Sequence, residues 1–260
     1  MTWPLLLALA VGPALSLAHV VWSVDRRREP VRNVLRYLLV GVLTVVPAFI
    51  AEKALQGTYR ALLGEKFEPG LVLLLVGLVV GVALVEESVK LFGLLWLGRK
   101  DREIDEPFDW IVYAVTVSLG FAMVENVSYV LAGGVAVGLA RALTSVPSHA
   151  LNGTIMGHRL ALASCLRGGA ARRQRVLALI EPTLWHGLYD FFAMAAGKEA
   201  RHGDVHVAVR LGVAFVVLIV CQWIVCVRRI RVMRELATPV PPLLYPIEAM
   251  RRVVRVPRRG

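Results

Sequence analysis

Glu86 and Glu87 are adjacent carboxylates in the middle of LVLLLVGLVVGVALVEESVKLFGLLWLG, a run apolar enough to cross a membrane. Carrying an acidic side chain to the bilayer centre costs about 2.5–3.5 kcal/mol on insertion scales, so such groups face a protein interior, a wet cavity or a partner. Glu125, His149, His186 and Asp190 are embedded in other apolar segments of the same chain. Carboxylates and imidazoles together supply proton acceptors and donors for general acid–base chemistry, or ligands for a divalent metal.

Helical spacing assigns these residues to faces. At 3.6 residues per turn Glu86 and Lys90 lie on one face and Glu87 points about 100° away, so Lys90 is expected to neutralise Glu86 and leave Glu87 free. Glu125 lies in SLGFAMVENVSYV, with Phe121 one turn before it and Asn126 beside it. A Glu–Asn pair by itself also serves to join helices in lipid. His149 follows Pro147, and Asn152, Gly153 and Gly157 are expected to put small or polar groups around its face. His158, nearer the other membrane surface, reads as a snorkelling or loop-facing residue. In EPTLWHGLYDFFAM, His186 and Asp190 are one turn apart, so the carboxylate can hold or polarise the imidazole.

Positioning these groups requires helices in a membrane. The chain has 260 residues, of which 57% are hydrophobic, and its mean hydropathy is +0.63. Apolar segments recur over about residues 2–23, 34–51, 71–97, 108–131, 142–163, 176–196 and 207–227. A soluble protein of this size has too little interior to bury them all. The expected fold is all-α and polytopic, with about seven transmembrane helices. The third segment is too long for an upright helix, and Gly133, Gly134 and Gly138 are expected to close the fourth.

The net charge of +11 does not point to nucleic acid, because the basic residues cluster in alternate loops. Arg26–Arg28, Arg99–Arg102, Arg167–Arg175 and the arginines from Arg228 onward fall on one side, which places the N-terminus outside and the C-terminus in the cytoplasm. Residues 1–227 then form the membrane domain, and 228–260 a basic, proline-containing cytoplasmic tail. Cys165, Cys221 and Cys226 have neither disulfide-scaffold nor zinc-knuckle spacing. In this topology Glu125, His149, His186 and Asp190 lie roughly 9 to 15 Å below the outer surface at 1.5 Å per residue. Glu86 and Glu87 join them if the third helix enters the hydrocarbon near Leu75, and the six then line one outward-facing cavity.

Such a set can activate water in two ways. One carboxylate removes a proton while histidines stabilise the developing oxyanion, or Glu and His hold a metal such as zinc whose bound water attacks. No HExxH or GxSxG motif is present, and no cysteine lies near the acids, so serine or cysteine hydrolysis is not expected. Buried Glu, His and Asp residues also make proton relays, so a proton-coupled transporter or channel is the rival reading, although no internal repeat is evident. A silent scaffold that binds a partner helix is a third.

The ordered set EESVK at 86–90, FAMVEN at 121–126, His149 and HGLYD at 186–190 resembles the PrsW family of membrane proteases. That family is related to the CAAX prenyl endopeptidases and bacteriocin-processing proteases. The resemblance implies a multi-pass, cell-membrane glutamic-type intramembrane endopeptidase; no cofactor is expected, with a divalent metal such as zinc the alternative. Glu86 and Glu87 would be the water-activating pair, Glu125, His149 and His186 would complete the centre, and Asp190 would orient His186. It further implies a membrane-anchored protein substrate, including an anti-sigma factor cut outside the membrane in regulated proteolysis. The prenyl peptidases have His in the second motif where this chain has Glu125, so prenyl-protein processing carries over poorly.

Overall fold

A computed structural model describes residues 3–64 and 68–236. Every regular element among them is helical: α1 (Trp3–Val24), α2 (Val31–Leu63), α3 (Leu71–Leu78), a π-helical turn (Val79–Ala83), α4 (Leu84–Gly98), α5 (Asp109–Leu143), α6 (Ser145–Cys165), α7 (Gly168–His202) and α8 (Val205–Leu236). Helices satisfy their backbone groups internally, which lipid requires. Among the described residues, five helical stretches are long and apolar enough to cross a membrane: α1, α2, the rod from Leu71 to Gly98, the α5–α6 stretch taken as one run, and α8. The sequence count of seven divides that fourth run in two and adds α7.

Several element ends differ from the sequence expectation. α2 continues to Leu63, past the expected end of the second segment near residue 51, so Lys53 and Arg60 are helical. The expected break at Gly133 and Gly134 is present: Asp109–Leu143 is two helical stretches joined across a kink, where Gly134 adopts φ 70° and ψ −160°, and Gly138 lies in the second stretch. That conformation is open to glycine because a Cβ would strain it. The third segment is one rod from Leu71 to Gly98 interrupted by a π-helical turn just before Glu86; an extra residue in one turn is a device often found beside functional sites. α8 continues through Arg228, Arg229, Arg231 and Arg234 to Leu236, and the rest of the expected tail, 237–260, lies outside the described residues.

α6 lies at the centre. From Ser145 to Ala163 every residue except Arg159 is buried. α5 packs against α1, α2 and α6, and α7 packs against α6 and α8. The outer surfaces are apolar: on α4, Phe92 is 72% and Trp96 67% exposed, while Glu86, Glu87 and Lys90 on the same helix are buried. A water-soluble helix has the reverse polarity, and lipid is the solvent that suits this one.

Small residues set the spacing of the layers around α6. A Cβ on Gly157 would lie 2.4 Å from the Trp110 carbonyl oxygen, and one on Gly153 2.8 Å from the Val115 Cα. These two glycines therefore let α6 approach the α5 backbone, as small residues do between membrane helices. Asn152 does not face His149; its Oδ1 accepts a hydrogen bond from Gln222 Nε2 on α8 at 2.7 Å. His158 is buried at 6% exposure and does not snorkel, because α6 is enclosed along almost its whole length.

Candidate active site

Lys90 is the hub of the polar cluster. Its Nζ donates to Glu86 Oε2 at 2.9 Å, to Glu87 Oε1 at 2.9 Å and to His149 Nδ1 at 3.2 Å, and it sits 4.1 Å from the centre of the Phe121 ring. The expectation that Lys90 would serve Glu86 alone is therefore corrected. Positions three and four residues back along a helix both fall within reach of a long flexible side chain, and a fully buried ammonium gains from two carboxylates. Phe121 takes part as a cation–π wall.

Because the ammonium donates to His149 Nδ1, that nitrogen accepts, and the ring proton belongs on Nε2. His149 Nε2 lies 2.8 Å from Glu125 Oε2 and so donates to it. Glu125 Oε1 is held in turn by Arg141 at 3.0 Å. His186 reaches the pair from α7: its Nδ1 is 2.9 Å from Glu87 Oε1, and its Nε2 is 3.8 Å from Glu86 Oε2 and 3.4 Å from Asp190 Oδ2. The two imidazoles meet edge to face, with ring centres 5.3 Å apart.

Four segments thus converge. α4 supplies Glu86, Glu87 and Lys90; α5 supplies Phe121 and Glu125; α6 supplies His149; α7 supplies His186 and Asp190. The close seat of α7 depends on Gly187, where a Cβ would lie 2.5 Å from Val79 Cγ2 in the π-helical turn. That contact brings His186 against Glu87. Asn126 is the exception among the sequence candidates: its Nδ2 donates to the Ala10 carbonyl of α1 at 2.9 Å, and its Oδ1 accepts from Arg141 Nε at 2.8 Å. It ties α5 to α1 and fixes Arg141, and it does not touch the histidines.

Burial is graded across the cluster. Glu87 and Lys90 have no exposed side-chain surface, Glu86 has 7%, and Glu125 and Asp190 have 22% and 23%. The open side therefore runs over Glu125 and Asp190 toward Glu86 and His186. Arg141 and Glu52 escape a reading of the sequence. The apolar segments place Arg141 at an outer loop, but the bend at Gly134 returns it to Glu125. Glu52 of α2 lies close enough to feel the charges of Glu86 and Glu125. The one available signal is a lone arginine in a connection otherwise poor in charge.

A membrane-embedded helical bundle enclosing paired carboxylates and two oriented imidazoles has the architecture of an intramembrane hydrolase. The comparisons with known proteins specify the family. Residues 29–222 match the model of the PrsW family intramembrane metalloproteases. The chain is 32% identical to Protease PrsW of Geobacillus kaustophilus over 246 residues, covering 92% of this chain and 97% of that protein. It is 34% identical to Protease PrsW of Bacillus subtilis over 191 residues, covering 73% and 83%. No solved structure matches it. The chain belongs to the PrsW family of intramembrane proteases and is a multi-pass protein of the cell membrane.

The family description implies a metal. Glu86, His149 and His186 each offer a ligand atom, and these atoms lie within 4.8 Å of one another. One carboxylate oxygen and two imidazole nitrogens suit zinc in type and number. Two of the three donors, Glu86 and His149, are also the hydrogen-bond partners of the Lys90 ammonium.

Proposed function

We propose that this protein is an endopeptidase that hydrolyses peptide bonds of membrane-anchored proteins with water activated by the Glu86–Glu87 pair. The observation that supports it most is the meeting of that pair with His149 and His186, brought from three helices into one hydrogen-bonded group. Glu86 is the proposed base. It is the less buried of the pair, whereas Glu87 is committed to Lys90 and His186. Glu86 takes a proton from water as the water oxygen attacks the substrate carbonyl, and later returns that proton to the leaving amine. His186 Nε2–H, on the open side, donates to the developing oxyanion.

The remaining groups position these two. Glu87 fixes the His186 ring through Nδ1, Asp190 borders Nε2, and the chain Arg141–Glu125–His149 sets the His149 tautomer. When bound by Glu86, His149 and His186, a divalent metal would supply Lewis-acid activation of water. The direct route is preferred because the Lys90 ammonium already occupies Glu86 and His149, two of the three metal donors. Two unit charges 4 Å apart repel by about 4 kcal/mol at an effective dielectric of 20, and a divalent ion beside the ammonium would face more.

The basic residues support an outside N-terminus and a cytoplasmic C-terminus. In that orientation the site opens toward the α5–α6 turn and the outer face, which suits a single-pass protein cut near its outer end. An anti-sigma factor is the specific substrate proposed, on the family resemblance.

Membrane-protein fragments should be compared quantitatively between cells carrying the wild-type protein and cells carrying Glu86→Gln/Glu87→Gln. Fragments that vanish in the variant are expected and would identify substrates; an identical fragment pattern for a substrate cleaved by the wild type in purified form would end the proposal. Metal dependence has its own test. Protein stripped with chelator and measured for metal content is expected to retain turnover, whereas a requirement for one bound metal per chain would replace the direct route with metal catalysis.

A further inference from the structure

Four carboxylates are buried away from Glu86, beside the arginine-rich connections. Asp25 and Glu29 lie in the α1–α2 connection, Glu106 in the α4–α5 connection, and Asp109 is the first residue of α5. Backbone amides fix two of them: Asp25 Oδ1 accepts from Arg27 N at 3.1 Å, and Asp109 Oδ2 accepts from Asp105 N at 2.9 Å and Glu106 N at 2.7 Å. Glu29 accepts from the Tyr113 hydroxyl.

Three further oxygens receive no amide, hydroxyl or cationic donor. Asp25 Oδ2, Asp109 Oδ1 and Glu106 Oε1 are buried in this way, on residues only 5%, 0% and 7% exposed, and the Asp109 carboxyl lies against that of Glu29. Native proteins seldom leave such atoms unsatisfied. Asp25, Glu106 and Asp109 each offer an oxygen within 4.8 Å of the others. Neighbouring cations are poorly engaged: Arg27 pairs with the exposed Asp105, at 3.8 Å, and acts on Glu106 through charge, and Arg234 of α8 acts on Asp25 through charge without a hydrogen bond to it.

We propose that Asp25, Glu106 and Asp109 bind one hard divalent cation, Mg2+ or Ca2+, which fastens the α1–α2 connection to the start of α5. A donor set of oxygen alone selects this class over zinc or copper, which prefer nitrogen and sulfur. The amide contacts orient two of the carboxylates before the ion arrives, and the ion replaces the missing partners of all three. The site is separate from the Glu86 cluster and does not depend on the proposed reaction. It acts on α5, the helix that carries Glu125.

The test uses the full chain in detergent, carrying Glu86→Gln to remove one donor of the catalytic cluster. After chelator treatment and removal of the chelator, the protein is titrated calorimetrically with MgCl2 and, separately, CaCl2. One saturable site and a higher thermal midpoint are expected with at least one ion, and the two arms decide which. Asp25→Asn and Glu106→Gln, made singly in that background, are each expected to weaken binding at least tenfold. The Asp25→Asn side chain keeps an oxygen for Arg27 N, and Glu106→Gln removes one of several mutually repelling buried acids, so both chains should fold in the absence of the ion. Saturable binding by neither ion would overturn the proposal, as would be found if Arg234 or a proton shared between Asp109 and Glu29 balanced the acids. Binding undiminished in both variants would overturn it as well.

Discussion

Glu86→Gln is expected to lower cleavage of a single-pass membrane substrate at least about 100-fold, since a positioned general base contributes roughly 10²–10⁴ in rate. Insertion and abundance should be retained, because Lys90 still has Glu87 at 2.9 Å. Glu87→Gln is expected to lose activity as severely for a different reason. Glu87 has no exposed side-chain surface and accepts from both Lys90 and His186 Nδ1, so the amide disturbs the orientation of the imidazole proposed to face substrate. The pH–rate profile separates the roles. Residual activity of Glu86→Gln should lose the limb that reports the base, whereas residual activity of Glu87→Gln should retain it. Turnover at the wild-type rate in both variants would remove the pair from the mechanism.

Lys90→Met should have the largest effect on the fold. The ammonium is wholly buried, bonds two carboxylates and one imidazole, and rests on Phe121. Removing one partner of a buried ionic group costs about 3–5 kcal/mol, because the charges left behind are neither hydrated nor paired. Thermal unfolding in detergent should therefore show a large loss, accompanied by loss of cleavage. Adding Glu87→Gln should recover part of the stability but none of the activity, a coupling expected only if the two side chains interact directly. Equal stability of Lys90→Met and wild type would mean that the ammonium is not the electrostatic centre of the cluster.

The sequence alone determined that the chain is helical and membrane-embedded, because lipid demands long apolar segments and their lengths are visible in one dimension. It also singled out the ionisable members of the buried cluster. Glu86, Glu87, Glu125, His149, His186 and Asp190 stand out because an ionisable group is costly in an apolar run, wherever the other helices lie. Their one-turn spacings showed that Lys90 and Glu86 could meet, as could His186 and Asp190.

The tertiary structure alone decided how those members connect. Lys90 bridges both glutamates because its flexible stem spans two positions that a helical wheel separates. Arg141 reaches Glu125 because the chain kinks at Gly134, which the sequence marked as a helix end, and resumes as a second helical stretch that the sequence did not show. His186 meets Glu87 through the π-helical turn and the close seat of Gly187 on Val79, and the unpaired oxygens of Asp25, Glu106 and Asp109 come together from separate connections. Periodicity reports what one helix presents along its own axis. Which groups meet across helices depends on bends, turn geometry and backbone approach, and these are set only when the helices pack.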